Sequence, residues 1–143
     1  MLSFTLFSTT AITSASPSEV SSFAQIVKEI SLDKPVPTVN YLQAAPPWNK
    51  GELHFEGTYG DWIVTVIADE LSGNVKGFQI RKPGPDILEE LLPPLVEKYG
   101  QAKYRESLPG EIKSRSYGWY TGNMRNTTVW YQFDKVFFTD SYI

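Results

Sequence analysis

The sequence predicts an α+β fold: two helices packed on an antiparallel β-sheet, with a tandem helix-plus-hairpin repeat as one reading of the order. Three observations lead there. Apolar residues recur at helical spacing over residues 20–30 and again over 87–99. β-branched and aromatic runs broken by Gly, Asn and Pro follow each of these stretches. Each half therefore has the order helix, connection, strands. The 143 residues, 41% hydrophobic and 20% charged, suit one soluble domain with its own core. Zero Cys excludes disulfides, thiolate metal sites, thiol catalysis and a lipid-bearing cysteine. A net charge of −3 gives no global reason to expect nucleic acid or an anionic membrane as partner.

Residues 1–16, MLSFTLFSTTAITSAS, carry no charge, and their apolar stretch from Leu2 to Ile12 ends in the small residues Ser14, Ala15 and Ser16. The pattern reads as a signal peptide over 1–15 with a working domain over 16–143, hence an exported protein, periplasmic or extracellular. No Lys or Arg precedes the apolar run, and Leu2, Phe4 and Leu6 alternate with hydroxyls, so an edge strand in a cytoplasmic protein is the alternative. No other run approaches the ~18 residues of a membrane-spanning helix.

A helix should begin at Ser16-Pro17-Ser18-Glu19, where Ser caps, Pro takes the first helical position and Glu reaches back to the cap. Val20, Phe23, Ala24, Val27 and Ile30 share its apolar face. Pro35, Pro37, Pro46 and Pro47 make residues 33–51 an extended connection, with an edge strand at 36–42. Leu53 and Phe55, then Trp62 to Ala68, then Val75 to Arg81 form strands, with a turn at Ser72-Gly73-Asn74. Trp62 to Ala68 is apolar on both faces, as a central strand would be. The sheet signal stops at Lys82-Pro-Gly-Pro-Asp86. Ile87, Leu88, Leu91, Leu92, Leu95, Val96 and Tyr99 then trace the second helical stripe, ending at Gly100. Pro93 and Pro94 predict a short turn at 86–92 and a helix restarting at proline. A loop containing Pro109 and Gly110 follows, then strands at 114–121, 127–133 and 136–142.

The stretch Leu95-Val-Glu-Lys-Tyr-Gly100-Gln-Ala, then Tyr117-Gly-Trp119, then Val129 to Phe133 with Asp134 before Val136 resembles small bacterial exported domains. These are the domains related to the beta-lactamase inhibitor protein and the small outer-membrane lipoprotein A group, with their order of helix, "KYG-x-P", Trp strand and hairpin. The resemblance covers residues 86–143 and, faintly, the first half. Ala102 stands where Pro is usual, Pro93-Pro94 interrupts the helix, and the lipid-bearing Cys of the lipoproteins is absent. The resemblance implies a protein-binding or envelope role and transfers no catalytic residue.

His54, the one histidine, lies between Glu52 and Glu56 on one side of a strand. That row could hold a cation or tune a base, but it falls short of a zinc ligand set, and the plainer reading is a solvated strand face. No G-x-S-x-G elbow and no phosphate loop occur, and the acid pairs Asp69-Glu70 and Glu89-Glu90 read as solvated charges. No catalytic, metal or cofactor residue is assigned. The charge distribution says more than the total. Lys98, Lys103, Arg105, Lys113, Arg115 and Arg125 against Glu106 and Glu111 make residues 98–125 +4, leaving −7 for the remainder. Tyr104, Tyr117, Trp119 and Tyr120 are interleaved with them, and Trp48 follows Ala45-Pro-Pro. Arg with Tyr and Trp is an interface composition. The candidate partner-binding residues are therefore Trp48, Lys103, Tyr104, Arg105, Arg115, Tyr117, Trp119 and Tyr120. Stacking on single-stranded nucleic acid is the alternative use of this mixture, opposed by the acidic remainder. Charged loops around core aromatics would look the same. The expected function is a non-enzymatic exported module that binds another protein, of inhibitor, immunity or envelope-assembly type. A small-ligand-binding domain or hydrolase with a pocket near His54 is the alternative.

Overall fold

Helix α1 (Pro17–Glu29) starts where the capping signal predicts. The Ser16 hydroxyl accepts from the Glu19 backbone N–H at 3.1 Å, and the Ser16 N–H donates to the Glu19 carboxylate at 3.2 Å. The structure, a computed structural model, describes residues 15–143, so the expected leader lies outside the described residues apart from Ala15. Phe23, Ile26 and Val27 are buried. The Phe23 ring sits 5.0 Å from Trp62 and 6.0 Å from Phe138, and the Trp62 indole N–H donates to the Glu19 carbonyl at 2.9 Å.

The strand expected at 36–42 is absent. Pro35 forms an isolated bridge with Asn74, and Leu42 N–H turns back to the Val39 carbonyl. Proline cannot donate to a ladder, so pairing starts only beyond these prolines, at β1 (Gln43–Ala45). Strands β2 (Glu52–Tyr59), β3 (Trp62–Asp69) and β4 (Val75–Pro83) follow as an antiparallel meander. Helix α2 (Leu88–Tyr99) then runs unbroken through Pro93 and Pro94, where a restart was expected. The carbonyls that lose N–H partners belong to Glu89 and Glu90, exposed positions where water can substitute. Each interior proline costs about 3 kcal/mol, and burying Leu88, Leu91 and Leu95 at roughly 1.5–3 kcal/mol each is of the size needed to offset the pair.

Strand β5 (Lys103–Glu106) was not expected; its four residues are all exposed, so no apolar alternation marks it. β6 (Ser114–Trp119), β7 (Arg125–Gln132) and β8 (Lys135–Tyr142) complete one antiparallel sheet of eight strands in the order β1-β2-β3-β4-β8-β7-β6-β5. The protein is thus α+β, but each helix is followed by four strands rather than by a hairpin. The two sets meet at β4 and β8, paired from Gly77↔Ser141 to Pro83↔Lys135. Trp62, Val64 and Val66 of β3, Phe78 and Ile80 of β4, Val129 of β7, and Val136 and Phe138 of β8 form one buried cluster with residues of both helices. We call this side of the sheet its inner face.

Two polar devices tie this core together. Lys98 of α2 donates to the Val27 and Ile30 carbonyls, each at 2.6 Å, with its ammonium over the Phe78 and Tyr99 rings. Burial pushes its pKa down to about 8. Asp140, 1% exposed, accepts from Tyr99 and Thr127, each at 2.9 Å, and from Arg125 at 3.2 Å. Among the described residues no helix is long and apolar enough to cross a membrane.

The connection before β1 lies against β2. Tyr41 stacks on Tyr59 at 4.9 Å and donates to Glu29 at 2.9 Å, and a Cβ on Gly57 would fall 1.5 Å from the Tyr41 carbonyl oxygen. Gly57→Ala should therefore destabilise the fold by more than about 2 kcal/mol in urea unfolding, whereas Thr58→Ala beside it stays within about 0.5 kcal/mol.

Candidate functional site

The side chains that alternate with the core residues form the outer face. Following the pairing register from β2 to β5, one row runs Thr58, Ile63, Arg81, Phe137, Trp130, Ser116, Arg105. A second runs Glu56, Thr65, Gln79, Thr139, Thr128, Gly118, Lys103. Trp130 and Phe137 stack face to face with centroids 4.9 Å apart and planes at 13°. That separation matches the ~4.8 Å between neighbouring strands, so the rings stand side by side and turn their edges outward. The Arg81 guanidinium is steadied by Thr65 Oγ1 at 3.2 Å and Gln79 Oε1 at 3.3 Å. Among the described residues it has no ion-pair partner.

At the β2 end of this face a cleft of about 530 Å³ is lined by Trp48, Glu56, Thr65, Gln79 and Arg81. Trp48 is 68% exposed and sets its ring edge-on to His54 at 4.3 Å. His54 is consequently 3% exposed rather than on a solvated strand face. Its Nδ1 lies 3.2 Å from the Pro46 carbonyl, which can only accept, so Nδ1 carries the proton. Nε2 is buried without a hydrogen-bond partner, 3.6 Å from the Glu56 carboxylate. Among the described residues no three His, Asp or Glu side chains converge on a point that could hold a metal ion.

The eight residues singled out in the sequence are divided between the faces. Lys103 and Arg105 lie on the outer face at the β5 edge, and Trp48 stands over the opposite end. Tyr104 and Tyr117, paired across β5 and β6, lie on the inner side with ring centroids 4.9 Å apart. Arg115 forms ion pairs with Asp86 and Glu89, and Tyr117 donates to Glu89 at 2.6 Å. Trp119 is 7% exposed and donates to the Gly100 carbonyl at 2.7 Å. Tyr120, just beyond β6, is exposed and donates to Asn123 at 2.8 Å.

Sequence reasoning missed Arg81, Phe137 and Trp130. A signal was present: Val129-Trp130-Tyr131 and Val136-Phe137-Phe138 are apolar on both strand faces, like Trp62 to Ala68, although the buried cluster draws Val129, Val136 and Phe138 from one face only. Comparison with protein-family models, with curated proteins and with solved structures finds no match.

Hydrogen bonds from Arg115, and then from Tyr117, hold the Glu89 carboxyl down at about 2, against a smaller opposing effect of burial. Because the folded pKa is depressed, Glu89 contributes stability that is fully present above about pH 4.5 and is lost as pH falls through about 2. Its side chain is 52% exposed, which keeps the contribution below about 1 kcal/mol. Urea titrations between pH 5 and pH 2 should show a shallower acid loss in Glu89→Gln than in the parent; equal slopes would exclude the linkage.

Proposed function

We propose that the protein is a non-enzymatic, exported protein-binding module of inhibitor, immunity or envelope-assembly type, and that it binds through the outer face of its sheet. The observation that carries this reading is the row Ile63, Arg81, Phe137, Trp130: half-buried apolar side chains and a guanidinium without an ion-pair partner, on the face opposite the buried cluster, with only the Trp48 loop standing over one end. Aromatic residues and Arg dominate interface energetics. The eight strands, 54 residues in all, at ~4.8 Å spacing and ~3.3 Å rise offer on the order of 850 Å², close to the ~800 Å² that one partner contributes to a stable complex. Edge-on rings give no flat platform for bases, which favours a protein over single-stranded nucleic acid.

The uncharged run through Ser16 supports export. The resemblance of residues 95–102, 117–119 and 129–136 to domains of the beta-lactamase inhibitor protein type supports a binding role. We also read the chain as a tandem repeat of one helix with four strands, a reading supported by the mirrored strand order about β4 and β8. A second reading, a small-ligand site, is favoured by one observation: the partnerless Nε2 of buried His54 beside the Trp48 cleft.

Pull-downs from the source's envelope fraction separate the two. A protein captured by the parent chain and by Glu97→Ala should be retained at least about tenfold less by Arg81→Ala and by Trp130→Ala, with circular dichroism confirming that each variant is folded. Equal capture by all four chains would overturn the outer-face reading. The small-ligand reading instead expects His54→Ala alone to abolish ligand retention.

A further inference from the structure

The turn between β7 and β8 has an unusual occupant. Gln132 pairs with Lys135, so Phe133 and Asp134 are the two central residues, and both have positive φ, 55° and 57°. Two-residue hairpin turns with both φ values positive favour Asn-Gly, and a bulky residue is strained in that region. A buried ring could offset the strain, but Phe133 is 65% exposed. Among the described residues no other aromatic ring packs against it.

Phe133 lines a groove of about 940 Å³ between this turn and the β5–β6 loop, with Leu108 and Ile112, 64% and 63% exposed, also on its lining. Both walls are fixed before anything binds. Gly84 N–H donates to the Asp134 carbonyl at 3.0 Å and Tyr131 donates to the Gly84 carbonyl at 2.7 Å. On the loop, Ser107 N–H donates to the Ser114 carbonyl at 2.9 Å and Leu108 N–H to the Glu111 carboxylate at 2.6 Å. Of the charges on the lining, Asp86 and Arg115 neutralise each other, leaving Glu106, Glu111 and Asp134 against Lys113, a net of −2.

We propose that this groove docks a basic amphipathic segment of another protein, whose apolar side chains meet Phe133, Leu108 and Ile112 while flanking Lys or Arg residues face the surplus carboxylates. The exposed ring in a strained turn is then a binding residue whose cost is offset in the complex. Charge complementarity selects a basic occupant over an acidic one. The groove lies at the end of the sheet, beyond the row of Ile63, Arg81, Phe137 and Trp130, and the proposal does not depend on the reading of that row.

The test pairs stability with binding. The probe is a capped helix-forming peptide with leucines at i, i+3, i+4 and i+7 and lysines elsewhere, compared with the same peptide carrying glutamates for lysines. The lysine peptide should bind at least about tenfold more tightly, with amide shift changes confined to residues 107–113 and 131–135. Phe133→Asn should raise Tm by about 4 °C, because Asn suits the turn, and should weaken the lysine peptide at least about fivefold. Leu108→Ser/Ile112→Ser should weaken it likewise without lowering Tm. The proposal is overturned if the two peptides bind alike or not at all, if the shifts map elsewhere, if Phe133→Asn lowers Tm, or if it leaves the affinity unchanged.

Discussion

The pairing of β4 with β8 is the constraint on which the rest of the structure depends, because it turns two strand sets into one sheet. The strands approach closely enough that a Cβ on Gly77 would lie 2.7 Å from the Ser141 Cβ, so the seam tolerates no side chain there. Both strands send their inner side chains into the common core: Phe78 and Ile80 from one, Val136 and Phe138 from the other. The helices add contacts across the seam. Phe23 of α1 touches Phe138 of the second half, and Lys98 of α2 donates to carbonyls at the end of α1. With the halves bound on both levels, independent unfolding of either would strip apolar surface from the other, which argues for one cooperative unit. The same seam makes the outer row continuous, since Arg81 from the first half is the direct neighbour of Phe137 from the second.

The electrostatic asymmetry read from the sequence has a different meaning in three dimensions. Of the six basic residues between 98 and 125, three are occupied inside the fold: Lys98 by helix carbonyls, Arg115 by Asp86 and Glu89, and Arg125 by buried Asp140. Lys103, Arg105 and Lys113 have no ion-pair partner among the described residues. On the outer side of β5 the unpaired cations are Lys103 and Arg105, at the opposite end of that face from Glu56, while Lys113 on the loop after it is offset by Glu111 and Glu106. A partner on that face meets a charge gradient about an aromatic centre, an arrangement that sets orientation and association rate more than bulk affinity.

What the sequence made legible follows from the range of each signal. The capping box and the stripe of α1 are local, and the structure has them in place. The prolines of α2 are local too, yet their expected break yields to Leu88, Leu91 and Leu95, whose burial depends on strands far away in sequence. β5 was invisible because an exposed edge strand needs only a neighbour's ladder and no apolar pattern of its own. Apart from Trp48, the candidate residues are near neighbours along the chain, and alternation sorts such neighbours onto opposite sides: Arg105 faces outward while Tyr104 beside it faces inward. Arg81, Phe137 and Trp130 lie on three different strands, and only the register of β4, β8 and β7 brings them into one row.

The outer face and the groove differ in how their exposed aromatics are held, and this bears on what each can do. Trp130 and Phe137 stack on each other on central strands, so they are already ordered before any contact and lose little conformational freedom on binding. Phe133 has no such ring partner and occupies a backbone region that disfavours it. His54 falls between these cases: Trp48 shields it from water, yet its Nε2 has nothing to bond. A buried imidazole nitrogen without a partner costs on the order of 1–3 kcal/mol. Displacing Trp48 would recover part of that cost by admitting water or a donor from a bound molecule. The loop carrying Trp48 is thus the element of the outer face best placed to move when something binds there, while the stacked pair at its centre stays fixed.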